Sequence, residues 1–505
     1  MGRWLGRSDR ADAALLGLTA AVISGAAAGR PSLWVDEAAT LSASTRSLGE
    51  LWALVQNLDA VHGLYYLFMH GWFSVVPVTE FWARLPSALA VGVAGSGVVV
   101  LGRLLCARSV GVAAGVVFAV LPRTTLAGIE ARPYALTMAC AVWSTVLLIV
   151  AVRRDRTRFW VGYTAALAVT AALNIVVLLV LAAHAVVLVV LAAPRPVVVR
   201  WAIATGAAVV ALSPLLVLIV AQQGQIGWIW PVSAVTLGQF FGEQYFPSVY
   251  SDGLRAVGPD QEQFTGEQLA VAVWAWARVA PLMVVVMVVA GLAVRMRARA
   301  ATVLGTSPRP LVCTAAVWTV APTVVLIGYS VAARPVYQPH YLSFTAPGVA
   351  LLVGVAVVIV ARDTRPTVAL LVLIAVCALP NYVAQRGVYA KFGSDYSQVA
   401  DVLSSEGAPG DCLIIDDAAP PSLSDALEGA RARHRDGLRD GGRAPGAAQR
   451  GELFGERVPA RAWADELRTC GVLWTVTDRD RGVPAGFRTV QRWTFNQTEV
   501  IRSVR

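Results

Sequence analysis

The sequence predicts an all-α polytopic membrane domain of about eleven transmembrane helices, followed by a small extracytoplasmic α/β domain. Three observations lead there. First, of 505 residues 56% are hydrophobic and only 15% charged, against about 25% charged in a soluble protein. Second, Val, Ala and Leu dominate runs of about twenty residues, long enough to cross a hydrocarbon core of about 30 Å. Third, from Asn381 onward charges become frequent and the long apolar runs stop. Buried helices of a soluble protein would show polar faces, and these runs have none.

The apolar runs fall at 11–29, 84–103, 109–126, 133–152, 159–173, 175–193, 199–220, 271–294, 310–332, 341–361 and 366–380. The N-terminal MGRWLGRSDR is basic. The run behind it is long and leads straight into a motif, so it reads as a retained first span rather than a signal peptide. With the N-terminus cytoplasmic, every inside loop is basic (GRLLCARS, RRDRTR, PRPVVVRW, RMRARA, ARDTRP), as the positive-inside rule requires. Residues 63–79 are then a juxtamembrane or re-entrant helix, because counting them as a span would put the Arg clusters outside. The organisation is a membrane domain over 1–380, with outer loops 30–83 and 221–270, and an extracytoplasmic domain over 381–505. The net charge of +10 resides in those short loops. No basic and aromatic stripe suits nucleic acid; the surroundings are membrane lipids in a multi-pass cell-membrane protein.

In the C-terminal region, DYSQVADVLSSEGAPGD reads as a helix and turn, and CLIIDD as a short buried strand. WADELRTCG reads as a helix with a glycine C-cap, VLWTVTD as a second strand, and TVQRWTFNQTEVIRSV as an edge strand or hairpin. Residues 429–450 read as a flexible basic loop. Cys412 and Cys470 can form a disulfide if the region is extracytoplasmic.

Candidate chemistry clusters in the outer segments. Asp36 and Glu37 stand just beyond the first span; a carboxylate there can take a proton from an acceptor hydroxyl, or simply complete an interfacial helix cap. In NLDAVHGLYYLFMHGW, Asp59 and His62 can share a helix face and hold a divalent metal, a lipid phosphate or an acceptor, although two ligands are fewer than a metal usually needs. In GIEARPYAL, Glu130, Arg132 and Tyr134 precede a span. The planar fork of Arg132 suits a phosphate; a surface Glu–Arg pair is the plainer alternative. In AARPVYQPHYLSF, Arg334, Tyr337, His340 and Tyr341 can flank a phosphate or sugar, or belong to an aromatic belt. No glycine-rich nucleotide motif is present.

Taken in order, WVDEAAT, DAVHGLYYLFMHGW, FWARLPSAL and EARPYAL resemble the outer-loop motifs of GT-C membrane glycosyltransferases. The resemblance is to glycosyltransferase family 39 and its bacterial relatives, which include protein O-mannosyltransferases, the lipid A aminoarabinose transferase and actinobacterial mannosyltransferases. It covers about the first 150 residues well and the rest in architecture; DYSQVADVL after the last span also fits. The family usually has two prolines where this chain has His62-Gly63, and Arg-Tyr-Leu where it has His340-Tyr341-Leu342. The resemblance implies a GT-C type fold and a sugar donor, mannose first, linked to polyprenyl phosphate. It implies a glycan, lipid or protein acceptor of the cell envelope, Asp36 as base and Arg132 as donor-phosphate ligand. A lipid or sugar transporter would instead place ionisable groups in mid-span. A non-catalytic envelope-assembly protein would keep the fold alone.

Overall fold

The structure, a computed structural model, describes residues 6–505 except 234–235, 237, 250–265, 417–420, 432–436, 442–445, 457 and 479–482. In chain order the helices begin with α1 (Arg7–Gly25), α2 (Val35–Ser44), α3 (Leu48–Asn57), α4 (Gly63–Phe73) and α5 (Glu80–Leu105). Next come α6 (Arg108–Val120), α7 (Pro122–Ala127), α8 (Tyr134–Arg154), α9 (Thr157–Leu173), α10 (Leu181–Val190), α11 (Arg195–Ala211) and α12 (Ser213–Ala221). Then follow α13 (Gly266–Arg295), α14 (Ala300–Leu304), α15 (Arg309–Ala332), α16 (Ala346–Ala361) and α17 (Thr364–Ala384). The last are α18 (Tyr396–Glu406), α19 (Pro421–Arg431), α20 (Ala447–Arg450) and α21 (Ala464–Leu467).

Among the described residues six helices are long and apolar enough to cross a membrane, or seven if α11 and α12, bent by 51° at their junction, form one span. Of the other expected spans, α1 is an unbroken helix of 19 residues whose first turns carry Arg7, Asp9, Arg10 and Asp12; the rest are present as shorter or interrupted helices, for local reasons. The run at 109–126 breaks at Leu121, because Pro122 cannot donate to the preceding turn. Pro214 stands in the first turn of α12 beside the α11–α12 bend. The runs starting near 175 and 341 each open on a 3₁₀ segment, Ile175–Val180 and Pro339–Thr345. The apolar stretch at 63–79 yields the eleven-residue α4, about 16 Å long at 1.5 Å per residue, half of what a span requires.

The chain divides into two compact units. The first comprises 1–28, 84–248 and 276–383 and holds the membrane-type helices. They approach closely where small residues meet. A Cβ on Gly354 would come within 2.6 Å of the Ala114 amide, and one on Gly92 within 2.7 Å of the Gly17 carbonyl; such contacts let helices associate where apolar side chains gain nothing over lipid. A polar brace crosses four helices. Trp201 Nε1 donates to Tyr163 Oη (3.1 Å), Tyr163 Oη faces His184 Nδ1 (2.9 Å), and His184 Nε2 faces Thr145 Oγ1 (3.0 Å). Thr145 Oγ1 donates to the Ala141 carbonyl, so it accepts from Nε2–H, and Tyr163 is the donor to Nδ1. His184 is thus saturated and acts as a pin. Tyr163→Phe is expected to cost about 1 kcal/mol, lowering the unfolding midpoint of the solubilised protein by about 1–3 °C. An unchanged midpoint would show that the brace bears no stability.

The second unit comprises 29–83, 249–275 and 384–505. Its sheet has the order β2-β1-β3-β5-β4, from β1 (Cys412–Ile415), β2 (Arg439–Asp440), β3 (Val472–Asp478), β4 (Arg488–Thr494) and β5 (Thr498–Val504). β1 runs parallel to β2 and β3, whereas β3–β5 and β4–β5 are antiparallel. The apolar VLWTVTD becomes β3 over its full length, with Leu473, Trp474 and Val476 buried. The expected hairpin is β4–β5. Its turn is tied to the start of α18 by Asp395, which accepts from the amides of Gln497 (2.6 Å) and Thr498 (2.9 Å).

Two expectations need correction. WADELRTCG does not form one glycine-capped helix. It splits into a 3₁₀ turn (Ala460–Trp463) and the single-turn α21, ending at Leu467, and Gly471 is not in the left-handed region. The cause is Cys470, which must leave the helix to pair with Cys412. The basic segment 429–450 is not wholly loop: Gly429–Arg431 end α19, Arg439–Asp440 form β2, and Ala447–Arg450 form α20; the rest of it includes residues outside those described. The disulfide closes a separation of 58 residues. Replacing both cysteines by Ser is expected to cost about 3 kcal/mol, read as a lower denaturant midpoint of the C-terminal region; an unchanged midpoint would contradict this.

Candidate functional site

Two groups of polar residues stand out, one in each unit. In the first unit, α7 follows the break at Pro122 and carries Arg123, only 4% exposed. Its Nε donates to the Gln244 carbonyl (2.9 Å), another guanidinium nitrogen donates to the Glu243 carbonyl, and its amide donates to the Tyr245 carbonyl (3.1 Å). Gln244 continues the network: its Nε2 donates to Tyr245 Oη (2.8 Å) and Thr323 Oγ1 (2.9 Å), while its Oε1 accepts from Tyr337 Oη (3.1 Å). Burial pushes the Tyr245 hydroxyl up to about 12. Burial, and then Tyr245, raise that of Tyr337. Both hydroxyls stay protonated and serve as neutral donors.

Electrostatic neighbours of Arg123 include Glu130 and Tyr134, so the GIEARPYAL motif meets this network. The turn before α8 is fixed by Ser87 Oγ, which donates to the Glu130 carbonyl (2.6 Å). Glu130 is 5%, Arg132 6% and Tyr134 2% exposed. The ring of Tyr134 lies 5.2 Å from His340, which meets Tyr341 edge-on at 4.7 Å. Asn174 Nδ2 holds the Tyr341 carbonyl at 3.2 Å. The fold therefore brings Tyr134, His340 and Tyr341 together. Arg334 has a different engagement: its two terminal nitrogens donate to the side chain and backbone carbonyls of Gln223, each at 2.6 Å.

In the second unit, Asp36 and Glu37 occupy the first turn of α2, where the helix N-terminus favours negative charge. Glu37 is fully buried and Asp36 half-buried. Asp59 and His62 do not share a helix face as expected. Asp59 is left-handed (φ 60°) ahead of the 3₁₀ turn Ala60–His62, and α4 starts only at Gly63. Tyr66 joins them instead: its hydroxyl donates to Asp59 Oδ2 (2.6 Å) and its ring lies 5.9 Å from His62. Among the described residues no three His, Cys, Asp or Glu side chains gather in a way that would hold a metal ion.

Arg123, Gln244 and Tyr245 escaped the sequence reading as individual residues, whereas Tyr337 is one of its candidates. Arg123 carried a signal, since it lies inside the apolar run 109–126 and an ionisable residue within a span is a functional candidate by default. Lys391, the only lysine in the sequence, is 2% exposed; its singularity among arginines was the available signal.

No family model matches the sequence, and no curated protein matches it. Among solved structures, the chain is similar to ArnT from Cupriavidus metallidurans in the apo state, with a TM-score of 0.56 and 14% identity over 97% of both chains. The same protein bound to undecaprenyl phosphate gives 0.56 and 13%, again over 97% of both chains. The apo oligosaccharyltransferase of Archaeoglobus fulgidus gives 0.48 and 14%, over 92% of this chain and 69% of that one. The likeness to ArnT runs through nearly the whole of both chains, and this protein has the fold of the GT-C class.

Proposed function

We propose that this chain is a membrane glycosyltransferase that transfers a sugar from a polyprenyl-phosphate donor to an acceptor of the cell envelope at the outer face of the membrane. The observation that carries this reading is the whole-length likeness to ArnT, one of whose structures holds undecaprenyl phosphate. The local chemistry supports it. An arginine buried to the extent of Arg132 loses hydration, and an anion such as a phosphodiester returns that loss through paired N–H donors. His340, between Tyr134 and Tyr341, adds a second polar contact for donor phosphate or sugar.

In the proposed step Asp36 accepts the proton of the acceptor hydroxyl as its oxygen attacks the anomeric carbon. The bond from that carbon to the phosphate oxygen breaks on the opposite face, and polyprenyl phosphate leaves with inversion. Arg132 stabilises the departing charge. Glu37 supports Asp36 from the same helical turn, and Asp59 and His62 contact the acceptor. Arg334 orients the segment around Gln223, and Glu130 balances Arg123 and Arg132. Mannose is the proposed sugar. The basic inside loops and the Cys412–Cys470 disulfide support a cytoplasmic N-terminus and a C-terminal domain in an oxidising, extracytoplasmic compartment.

The test supplies purified protein in lipid with polyprenyl-phosphate donors carrying radiolabelled mannose, arabinose or glucose, and with membrane extract as acceptor. Label in the acceptor from one donor identifies the sugar. Absence of transfer from all three would overturn the reading.

A further inference from the structure

The residues proposed to act as base and support sit on a helix that does not determine its own position. Helix α2 has ten residues and no side-chain N-cap, and isolated helices of that length are marginal in water. Its placement is therefore set by what it packs against: α4, whose His70 Nδ1 lies 3.2 Å from the Ser44 carbonyl, and the C-terminal segment, which meets it at its entry, at Ala38 and at Ser42. The segment leading into α2 is bound by residues 388–397. The Ser32 amide donates to the Val388 carbonyl (2.8 Å), the Leu33 amide to Ser397 Oγ (2.9 Å), and the Ser397 amide back to Ser32 Oγ (3.1 Å). Trp34, immediately before α2, has its ring 4.9 Å from that of Phe392.

At the middle of α2 the contact is backbone to backbone. A Cβ built on Gly429 of α19 would lie 2.4 Å from the Ala38 Cβ and 2.5 Å from both its Cα and its carbonyl oxygen. No side chain fits there, so glycine is required by proximity and not by its dihedral angles. At the far end, the Leu453 carbonyl accepts from Ser42 Oγ (2.7 Å) and from Arg46 Nη2 (2.7 Å). The buried residues of α2 run from Glu37 to Ser44, and apart from Glu37 and Leu41 they are Ala, Ser or Thr, small enough to allow this approach.

We infer that the C-terminal domain is a positioning element for α2, with Gly429 and Ser397 setting where Asp36 and Glu37 stand; this rests on the proposed transfer reaction. Reactive groups must be held to about 1 Å, and a displacement of that size can lower the rate on the order of 10²-fold. A Cβ at Gly429 must move α2 or α19, since the atoms it meets include backbone.

The test uses the full chain in lipid nanodiscs and compares wild type, Gly429→Ala, Gly429→Leu, Ser397→Ala and the pair Gly429→Ala with Ala38→Gly. Hydrogen–deuterium exchange is read over residues 33–45, and kcat and donor KM from labelled transfer. The expected result is faster exchange over 33–45 in both Gly429 variants and in Ser397→Ala, with the spanning helices unchanged. The expected kcat falls about 10- to 100-fold at unaltered donor KM, and Ala38→Gly restores part of it in the Gly429→Ala background. Unchanged exchange over 33–45, or faster exchange with wild-type kcat, overturns the inference. If Gly429→Leu fails to fold, Ser397→Ala, which removes one oxygen, decides the same question. If wild type transfers no sugar while exchange responds as expected, the transfer reading falls and the seating of α2 on the C-terminal domain stands.

Discussion

Asp36→Asn is expected to lower kcat for sugar transfer by about 10³-fold while leaving expression, donor binding and the unfolding midpoint near wild type. The replacement is isosteric, and Asp36 is half-buried in the first turn of α2, so the side chain fits as before. What disappears is the ability to take a proton from the acceptor hydroxyl, a contribution of about 10²–10⁴-fold in enzymes that depend on it. The loss of negative charge at the helix N-terminus costs well under 1 kcal/mol. Glu37→Gln separates the two carboxylates. Glu37 is fully buried, so its change should appear first as lost stability and only then as lost rate. The measurement is initial rate against acceptor and donor concentration, with the unfolding midpoint of each variant. Turnover of Asp36→Asn within tenfold of wild type would remove Asp36 from the role of base.

Arg132→Leu is expected to reduce kcat/KM for the polyprenyl-phosphate donor by about 10²–10³-fold, the scale of truncating one partner of a buried, hydrogen-bonded charge pair. At 6% exposure the guanidinium is desolvated before any donor arrives, which strengthens its interaction with a phosphate oxygen. Arg132→Lys distinguishes charge from geometry. An ammonium keeps the charge but not the two-pronged donor set, so it should recover only part of the loss. The same change should weaken competition by sugar-free polyprenyl phosphate in proportion, because the contact is with the phosphate. If Arg132→Leu bound that lipid like wild type, the buried arginine would be a structural residue of the α7–α8 turn and nothing more.

The membrane-type helices, the strands β3 and β5, the shortness of the helix within 63–79 and the candidate pairing of Cys412 with Cys470 were all legible in one dimension. Each is signalled by residues near in sequence: an apolar run, a period of two, a run too short to span, two cysteines in a polar region. The ordered motifs pointed to the GT-C class, and the fold agrees. Local reading failed where a distant partner decides. WADELRTCG looks helical until Cys470 is drawn to Cys412, and Asp59 and His62 look like one helix face until the left-handed turn at Asp59 routes their contact through Tyr66.

What the sequence by itself determined, then, is which stretches can lie in a bilayer and which residue types stand in the segments between them, because burial in lipid is imposed residue by residue on a continuous stretch. Only the tertiary structure decided which of those residues meet: Tyr134 with His340, Gln244 with Tyr337, Gly429 with Ala38. The physical reason is that such pairings are made across long sequence separations by packing and hydrogen bonding, and the local pattern of hydrophobicity reports which face of an element is buried but not what buries it.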